Sequence, residues 1–213
     1  MGKLEPSVLG KIRGRVGSLV FYELGGQAIV RKRPSLQKKE LTDLQKYHQL
    51  VFSVANIFLK PFREELNFSM VTFQKGGRKG YHQGLSCLIK NGIQHGEEPQ
   101  VIPNQLLISM GSLTGPADAR AERISIQEIK MNWSPNAWEG SARDADLSYI
   151  LIYDPVKKHV FSWRGEAYRR TGYQTIQIPL PIEAENQVWV YMAFYQEKNK
   201  KRTFSNSICL GLI

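Results

Sequence analysis

The chain has 213 residues, of which 42% are hydrophobic and 23% are charged, and its formal net charge is +10. This composition excludes a disordered or collagen-like chain. No apolar stretch has the length of a membrane helix, and the N-terminus lacks the apolar core of a secretory signal. We therefore expect a folded, cytoplasmic protein of one or two domains with no membrane partner.

The positive charge is concentrated in the first part of the chain. Through Lys90 there are 16 Lys and Arg residues against 6 Asp and Glu, whereas from Asn91 onward there are 13 of each. This division predicts a basic hairpin and helix region, residues 1–98, and a second domain, residues 99–213, that folds alone. A basic half favours either a polyanion such as nucleic acid or an acidic protein surface as partner.

The basic region opens with a pattern typical of a β-hairpin. Gly25 and Gly26 separate two β-prone runs, residues 16–23 and 27–33, and paired glycines supply the positive φ of a tight primed turn. The first run has bulky side chains on both faces, so both faces should meet something. Six cations would then crowd the open end of the hairpin, as a solvated rim or as a contact for an anion or another copy: Lys11, Arg13, Arg15, Arg31, Lys32 and Arg33.

Helical signals follow the hairpin. Thr42 and Gln45 match a capping box, and apolar residues at intervals of three and four over residues 44–59 predict an amphipathic helix. Pro61 should end this helix and open a short second one. Residues 81–90 predict a third helix, closed by a left-handed cap at residues 91–92.

A run rich in glycine and charge, residues 74–80, separates the second helix from the third. Its spacing does not match a Walker-type phosphate loop, which favours a surface loop. The loop forms a second basic focus and adds three candidate contacts for a polyanion or protein partner: Lys75, Arg78 and Lys79.

The C-terminal region changes to short apolar runs separated by turn residues, a texture that predicts a seven-stranded antiparallel β-sandwich. Over residues 188–194, alternation should place Val188, Val190, Met192 and Phe194 on one face of a strand. The expected fold class is therefore mainly β with a small α part. The runs are residues 106–113, 124–133, 147–153, 159–163, 173–178, 187–195 and 203–211.

Catalytic signatures do not occur in the sequence. Nucleophile elbow, zinc, dinucleotide and phosphate-loop motifs are all missing, so we expect no enzymatic activity, cofactor or metal. Asp144 and Asp146 lie beside Arg143 without a neighbouring histidine, which favours a turn or capping role over metal binding. Cys87 and Cys209 lack paired spacing and are interpreted as reduced thiols, with a long-range disulfide as the less favoured alternative.

Several short motifs occur along the chain without defining a catalytic site: residues 14–20 with Arg31 and Pro34, Gln45 with Phe52, residues 109–113, Trp133, Asp146, residues 153–155 and residues 205–211. Together they resemble a bacterial family of about 200 residues catalogued only as a domain of unknown function. The resemblance covers nearly the whole chain and implies no activity and no catalytic residues. It also implies a C-terminal half like a fibronectin type III or immunoglobulin-like module, although the Cys-Trp-Cys pattern of antibody domains is missing.

Two classes of function remain. The favoured one is a non-enzymatic structural or assembly protein that docks other copies, or a larger particle, through the hairpin and the sandwich. The alternative is a nucleic-acid-binding protein that uses the basic region, where Tyr22, Tyr47 and Tyr81 lie near cations as stacking side chains do in single-strand grooves.

Overall fold

The computed structural model of the protein describes residues 2–4, 13–34, 40–179, 181–183, 186–199 and 201–213. Strands outnumber helices in these residues, and every sheet is built from antiparallel pairs. The expected fold class, mainly β with a small α part, is confirmed. Of the predicted contact residues, Lys11 lies outside the described residues.

The N-terminal sheet contains the predicted hairpin. Its strands β1 (Gly2–Leu4), β2 (Gly14–Val16), β3 (Leu19–Leu24) and β4 (Gln27–Lys32) follow the spatial order β1-β4-β3-β2. Between β3 and β4, Gly25 has a φ of 59° and Gly26 a φ of 79°, so both central residues of the turn are left-handed. The primed glycine turn is confirmed.

The first arm of the hairpin is shorter than predicted. We expected it to begin at residue 16, but Gly17, with a φ of 56°, turns the chain back before β3. The segment before this turn becomes a separate strand, β2, in which Val16 pairs with Leu19 of β3. The sequence showed β-prone residues on both sides of Gly17, and a single left-handed glycine converted one arm into two strands.

Three α-helices follow the N-terminal sheet along the chain: α1 (Asp43–Leu59), α2 (Arg63–Ser69) and α3 (Gly80–Asn91). The capping box is confirmed, since the Gln45 amide donates to Thr42 Oγ1 at 3.3 Å and the Thr42 amide donates to Gln45 Oε1 at 3.1 Å. Pro61 lies in a 3₁₀ turn, Lys60–Phe62, that leads into α2 as predicted. The predicted left-handed cap of α3 is wrong, because Gly92 has a φ of −114°.

The C-terminal part begins with a two-stranded ribbon, β5 (Ile93–Gln94) and β6 (Gln100–Val101). Eight further strands of the described residues follow: β7 (Ala117–Arg123), β8 (Glu128–Ser134), β9 (Leu147–Asp154), β10 (His159–Tyr168), β11 (Tyr173–Gln177), β12 (Trp189–Lys198), β13 (Lys201–Phe204) and β14 (Ile208–Leu212). They form two sheets, one with the order β11-β8-β7 and one with the order β10-β9-β12. The free edge of β12 is shared by β13 and β14.

Two of the predicted strands are wrong in detail. The run 106–113 is not a strand, because Ile108, Ser109 and Gly111 make hydrogen bonds to the interruption between β13 and β14, residues 205–207. The Leu113 amide donates to the carbonyl oxygen of Phe204 at the end of β13. That interruption also divides the last predicted strand into two. We did not predict β7, whose alternation of alanine with charged residues carries no large apolar side chain.

The central sheet, β10-β9-β12 with β13 and β14, is buried on both faces. Val190, Met192 and Phe194 pack toward the three-stranded sheet, as predicted from their alternation. On the other face, Tyr191 and Ala193 belong to the core that includes the buried side chains of the helices. The helices therefore cover one face of the sandwich, and the independent folding of residues 99–213 stays a prediction.

Candidate interaction surfaces

Four of the predicted basic residues gather at the end of the N-terminal sheet farthest from the glycine turn. Across the sheet, Arg15 pairs with Val20, and Val20 pairs with Arg31, so the two cations flank one valine. In the next row Lys32 pairs with Leu19. The cluster, here called the sheet cations, consists of Arg15, Arg31, Lys32 and Arg33.

Arg13 does not belong to this cluster. Because β2 folds back along β3, its guanidinium reaches Glu23 near the turn, with Nη2 2.6 Å from Oε2. The prediction that all six cations lie at one end of one ribbon is therefore wrong for Arg13. The turn at Gly17 is the physical reason, since it reverses the direction in which the entering segment runs.

The hairpin tip rests on the loop that carries the second basic focus. A Cβ placed on Gly25 would lie 2.8 Å from the carbonyl carbon of Gly76, and one placed on Gly77 would lie 2.6 Å from Leu24 Cδ1. Lys75, Arg78 and Lys79 are therefore held near the turn. The sheet cations lie at the opposite end, about 20 Å away for a six-residue strand. The structure keeps the two basic foci apart.

This contact can be measured by comparing the two turn glycines. Gly26→Ala should cost about 1–2 kcal/mol of unfolding free energy, because only the left-handed backbone is strained and its Cβ would meet open space. Gly25→Ala should cost about 1–3 kcal/mol more, since the new methyl group would also displace the backbone of Gly76. Urea unfolding of both variants checks this, and equal losses would mean that the tip does not press on the loop.

Exposed apolar side chains concentrate in the same part of the molecule. Fifteen large hydrophobic residues are exposed in the described part of the chain, and eight of them lie between residues 16 and 57. Sequence reasoning placed Leu44 and Ile57 in the buried stripe of α1, yet each is 66% exposed. The buried stripe is narrower and comprises Val51, Ala55 and Leu59. The eight residues are Val16, Leu19, Leu24, Leu41, Leu44, Leu50, Phe52 and Ile57.

A buried carboxylate fixes the helices to the central sheet. Glu65 of α2 accepts hydrogen bonds from the Tyr149 hydroxyl at 2.9 Å, from Ser162 Oγ at 2.9 Å and from Arg164 Nη2 at 2.6 Å. Burial raises the pKa of Tyr149 well above its usual value, and the adjacent Glu65 carboxylate adds to this shift. The phenol therefore remains a donor at neutral pH, and all three bonds serve to position α2.

Asp146 has the capping role predicted for it, together with a bond that sequence reasoning missed. Its Oδ2 accepts the Arg143 amide at 2.9 Å, as a turn-capping carboxylate does. The same oxygen also accepts Arg169 Nε at 2.9 Å, and both side chains are fully buried. No pattern in the sequence marks Arg169, which follows an apolar strand as an ordinary surface arginine would.

Two kinds of feature do not occur among the described residues. No three His, Cys, Asp or Glu side chains come together there in a way that could hold a metal ion. In the same ranges, no helix combines the length and the apolar character needed to cross a bilayer.

Comparison with known proteins relates nearly the entire chain to one family of sequences. A family of unknown function (DUF6266) matches residues 11–211, which is nearly the entire chain. No curated protein matches the chain.

Proposed function

The chain belongs to the family of unknown function DUF6266. Because this family has no assigned activity, we propose a function from the surfaces of the chain, namely that it is a non-enzymatic assembly protein. The N-terminal sheet docks on another copy of the same chain. The observation that carries this proposal is that the sheet has almost no core: among residues 13–34 only Ile29 is buried.

A sheet with so few buried side chains leaves apolar side chains exposed to solvent. Val16 is 63% exposed and Leu19 is 41% exposed, and both lie beside Lys32 in one row across the strands. Contiguous exposed apolar residues rimmed by charge are typical of protein contact surfaces. The described β2 is also an edge strand of three residues with an unpaired side, to which another chain could add.

The charge distribution favours a second copy as the partner. The basic region could not stack on itself, because its cations would repel one another. From Asn91 onward the thirteen acidic residues balance thirteen Lys and Arg residues, and Glu122, Glu139 and Glu166 are exposed among them. We infer that the basic sheet of one copy meets exposed carboxylates in the C-terminal half of the next, a heterologous contact that builds a ring or a filament.

The C-terminal half supplies the body of each subunit. We infer that it is a fibronectin type III-like sandwich, supported by a three-stranded sheet, β11-β8-β7, that packs against a sheet whose last strand is interrupted. Cys87 and Cys209 are free thiols, which supports a reducing, cytoplasmic setting for the assembly.

Light scattering coupled to gel filtration tests the assembly. We expect the parent to elute as a multiple of its 24.3 kDa chain at low ionic strength and to dissociate as salt rises. Replacing Val16 and Leu19 by serine should weaken association by about tenfold or more, because each buried aliphatic side chain contributes about 1.5–3 kcal/mol. A parent that stays monomeric at every concentration would overturn the proposal.

A charge-matched comparison separates specific pairing from general repulsion. The triple variant Arg15→Gln, Arg31→Gln, Arg33→Gln should lose association. The control triple Arg170→Gln, Lys198→Gln, Lys201→Gln removes the same charge from exposed positions of the C-terminal half and should keep it. Equal effects of the two triples would contradict docking through the sheet cations.

Nucleic-acid binding is the second candidate, favoured by one observation. Among the described residues, the ion pair of the N-terminal sheet joins Arg13 to Glu23, and the sheet cations have no carboxylate partner. If these cations neutralise phosphates, each should contribute about 0.9 to the slope of log affinity against log salt on duplex DNA. The first triple would then flatten that slope, while under the assembly proposal the slope would not change.

A further inference from the structure

The three helices and the loop before α3 enclose a groove that no described residue of the N-terminal sheet lines. Two adjoining cavities, of about 240 Å³ and about 460 Å³, lie between α1 and α3 and share Phe52, Lys79 and His82 in their walls. The larger one falls within the range of about 300–1,000 Å³ that is usual for small-molecule sites. The groove is thus large enough to hold a ligand.

The walls of the groove are strongly positive. Arg63 lines the first cavity, Arg78 and Lys90 line the second, and Lys79 lines both. Among the described residues, no Asp or Glu lines either cavity, and none of these four cations forms an ion pair. Four cations without acidic counterparts create an attractive potential for an anion.

The polar groups of the groove are held in place before any ligand arrives. The Arg63 guanidinium carbon lies 4.7 Å above the centre of the Tyr81 ring, and the Tyr81 hydroxyl donates to Asn56 Oδ1. Burial raises the pKa of Tyr81, against a smaller opposite effect of Arg63, so the phenol stays protonated. A stacked guanidinium is a preorganised donor for phosphate oxygens.

His82 adds a donor of defined direction. Its Nδ1 accepts the backbone amide of Lys79 at 3.0 Å. A neutral imidazole that accepts at Nδ1 carries its proton at Nε2, so this edge of the ring is left to donate. His82 and Lys79 together extend the donor surface that Arg63 begins.

Aromatic rings complete the site. Phe52 of α1 lines both cavities and is 52% exposed, and Phe73 lines the larger one. An exposed phenylalanine beside a group of cations offers a face on which a flat ring can stack. Apolar rings and unpaired cations in one groove match a ligand that is aromatic at one end and anionic at the other.

We propose that this groove binds a nucleotide, with the phosphate at Arg63, Arg78 and Lys79 and the base against Phe52. The nucleotide is either free or the end of a single strand, since both present the same ring and phosphate. The site does not depend on the proposed assembly, because its walls come from the helices and the loop before α3 of a single chain.

Calorimetric titration of the full chain at low ionic strength tests the proposal, with AMP, adenosine, inorganic phosphate and a short oligothymidylate as probes. We expect AMP to bind more tightly than adenosine or phosphate, because it alone engages both parts of the groove. Arg78→Gln with Lys79→Gln should weaken AMP by about tenfold. Phe52→Ser should weaken AMP about tenfold while leaving phosphate unchanged.

A matched pair of charges outside the groove provides the control. Lys60→Gln with Lys198→Gln removes the same charge from exposed positions and should change AMP affinity less than about twofold. Tighter binding of the oligothymidylate than of AMP identifies a strand end, and the reverse identifies a free nucleotide. The proposal is overturned if neither binds, if the control weakens AMP as much as the groove variant, or if Phe52→Ser has no effect on AMP.

Discussion

Arg169→Met should lower the free energy of unfolding by about 3–5 kcal/mol, because it leaves Asp146 as an uncompensated buried charge. Both side chains have no solvent exposure, and Arg169 Nε lies 2.9 Å from Asp146 Oδ2. The loss is a large share of the about 5–15 kcal/mol that stabilises a typical folded protein. Urea unfolding followed by tryptophan fluorescence is the measurement.

The large effect follows from how completely the guanidinium is bonded. Arg169 also donates to the carbonyl oxygens of Thr114 at 2.7 Å and Gly115 at 3.1 Å, and to Asn136 Oδ1. Its central carbon lies 4.0 Å from the centre of the Phe194 ring. Removing the arginine therefore breaks four hydrogen bonds to buried or partly buried acceptors at once, and each loss costs free energy of its own.

Three further variants separate loss of charge from loss of packing. Arg169→Lys keeps the charge but not the fork of donors, and it should lose less than Arg169→Met. Asp146→Asn combined with Arg169→Met should lose less than the sum of the single changes, since no buried charge remains. Arg170→Met, at the exposed neighbouring position, should change stability by no more than about 0.5 kcal/mol. A full-size loss at Arg170 would contradict this assignment.

Gly111→Ala should cost about 1–3 kcal/mol through overpacking, without any strain from a left-handed backbone. A Cβ at this position would lie 2.2 Å from the carbonyl oxygen of Phe204 and 3.0 Å from its carbonyl carbon. The neighbouring strand would have to move as a unit, because these atoms are backbone atoms. Thermal unfolding, read as a fall in Tm, checks the prediction.

Gly115 provides the matched control in the same segment. A Cβ there would meet only the Asn206 carbonyl oxygen, at an ordinary contact distance of 3.6 Å. Gly115→Ala should therefore leave Tm unchanged or raise it slightly, since alanine reduces the entropy of the unfolded chain. Equal losses at both positions would show that the segment tolerates no side chain, and would contradict close approach as the cause.

Local signals in the sequence predicted much of the fold. The glycine turn, the capping box and the proline step each depend on residues adjacent in the chain, and each is present. The alternation around Met192 assigned the two faces of β12 correctly, because successive side chains of a strand point to opposite faces even where both faces are buried. Predictions of this kind rest on backbone geometry alone.

The failure over residues 106–113 depended on partners distant in the sequence. These residues look like a strand, yet the Ile108 amide donates to Ser207 Oγ at 2.9 Å and Ser109 Oγ donates to the Ser205 carbonyl at 2.8 Å. The second bond joins two of the motifs that carried the family resemblance, and neither motif alone indicates the other. The groove and the buried arginine were missed for the same reason, since each is assembled from separate elements.

The position of the central sheet between two layers has a consequence for how the chain is made. The helices are synthesised well before β12, the strand whose Tyr191 and Ala193 belong to the core that they share. Until β9 and β12 leave the ribosome, the apolar residues of α1 and α2 that face the central sheet lack the strands on which they pack. A nascent chain must therefore wait, with these side chains exposed, for contacts nearly one hundred residues ahead, as between Glu65 and Arg164. Folding should be slow for a chain of this length, and the unfinished protein is the form that most needs a chaperone.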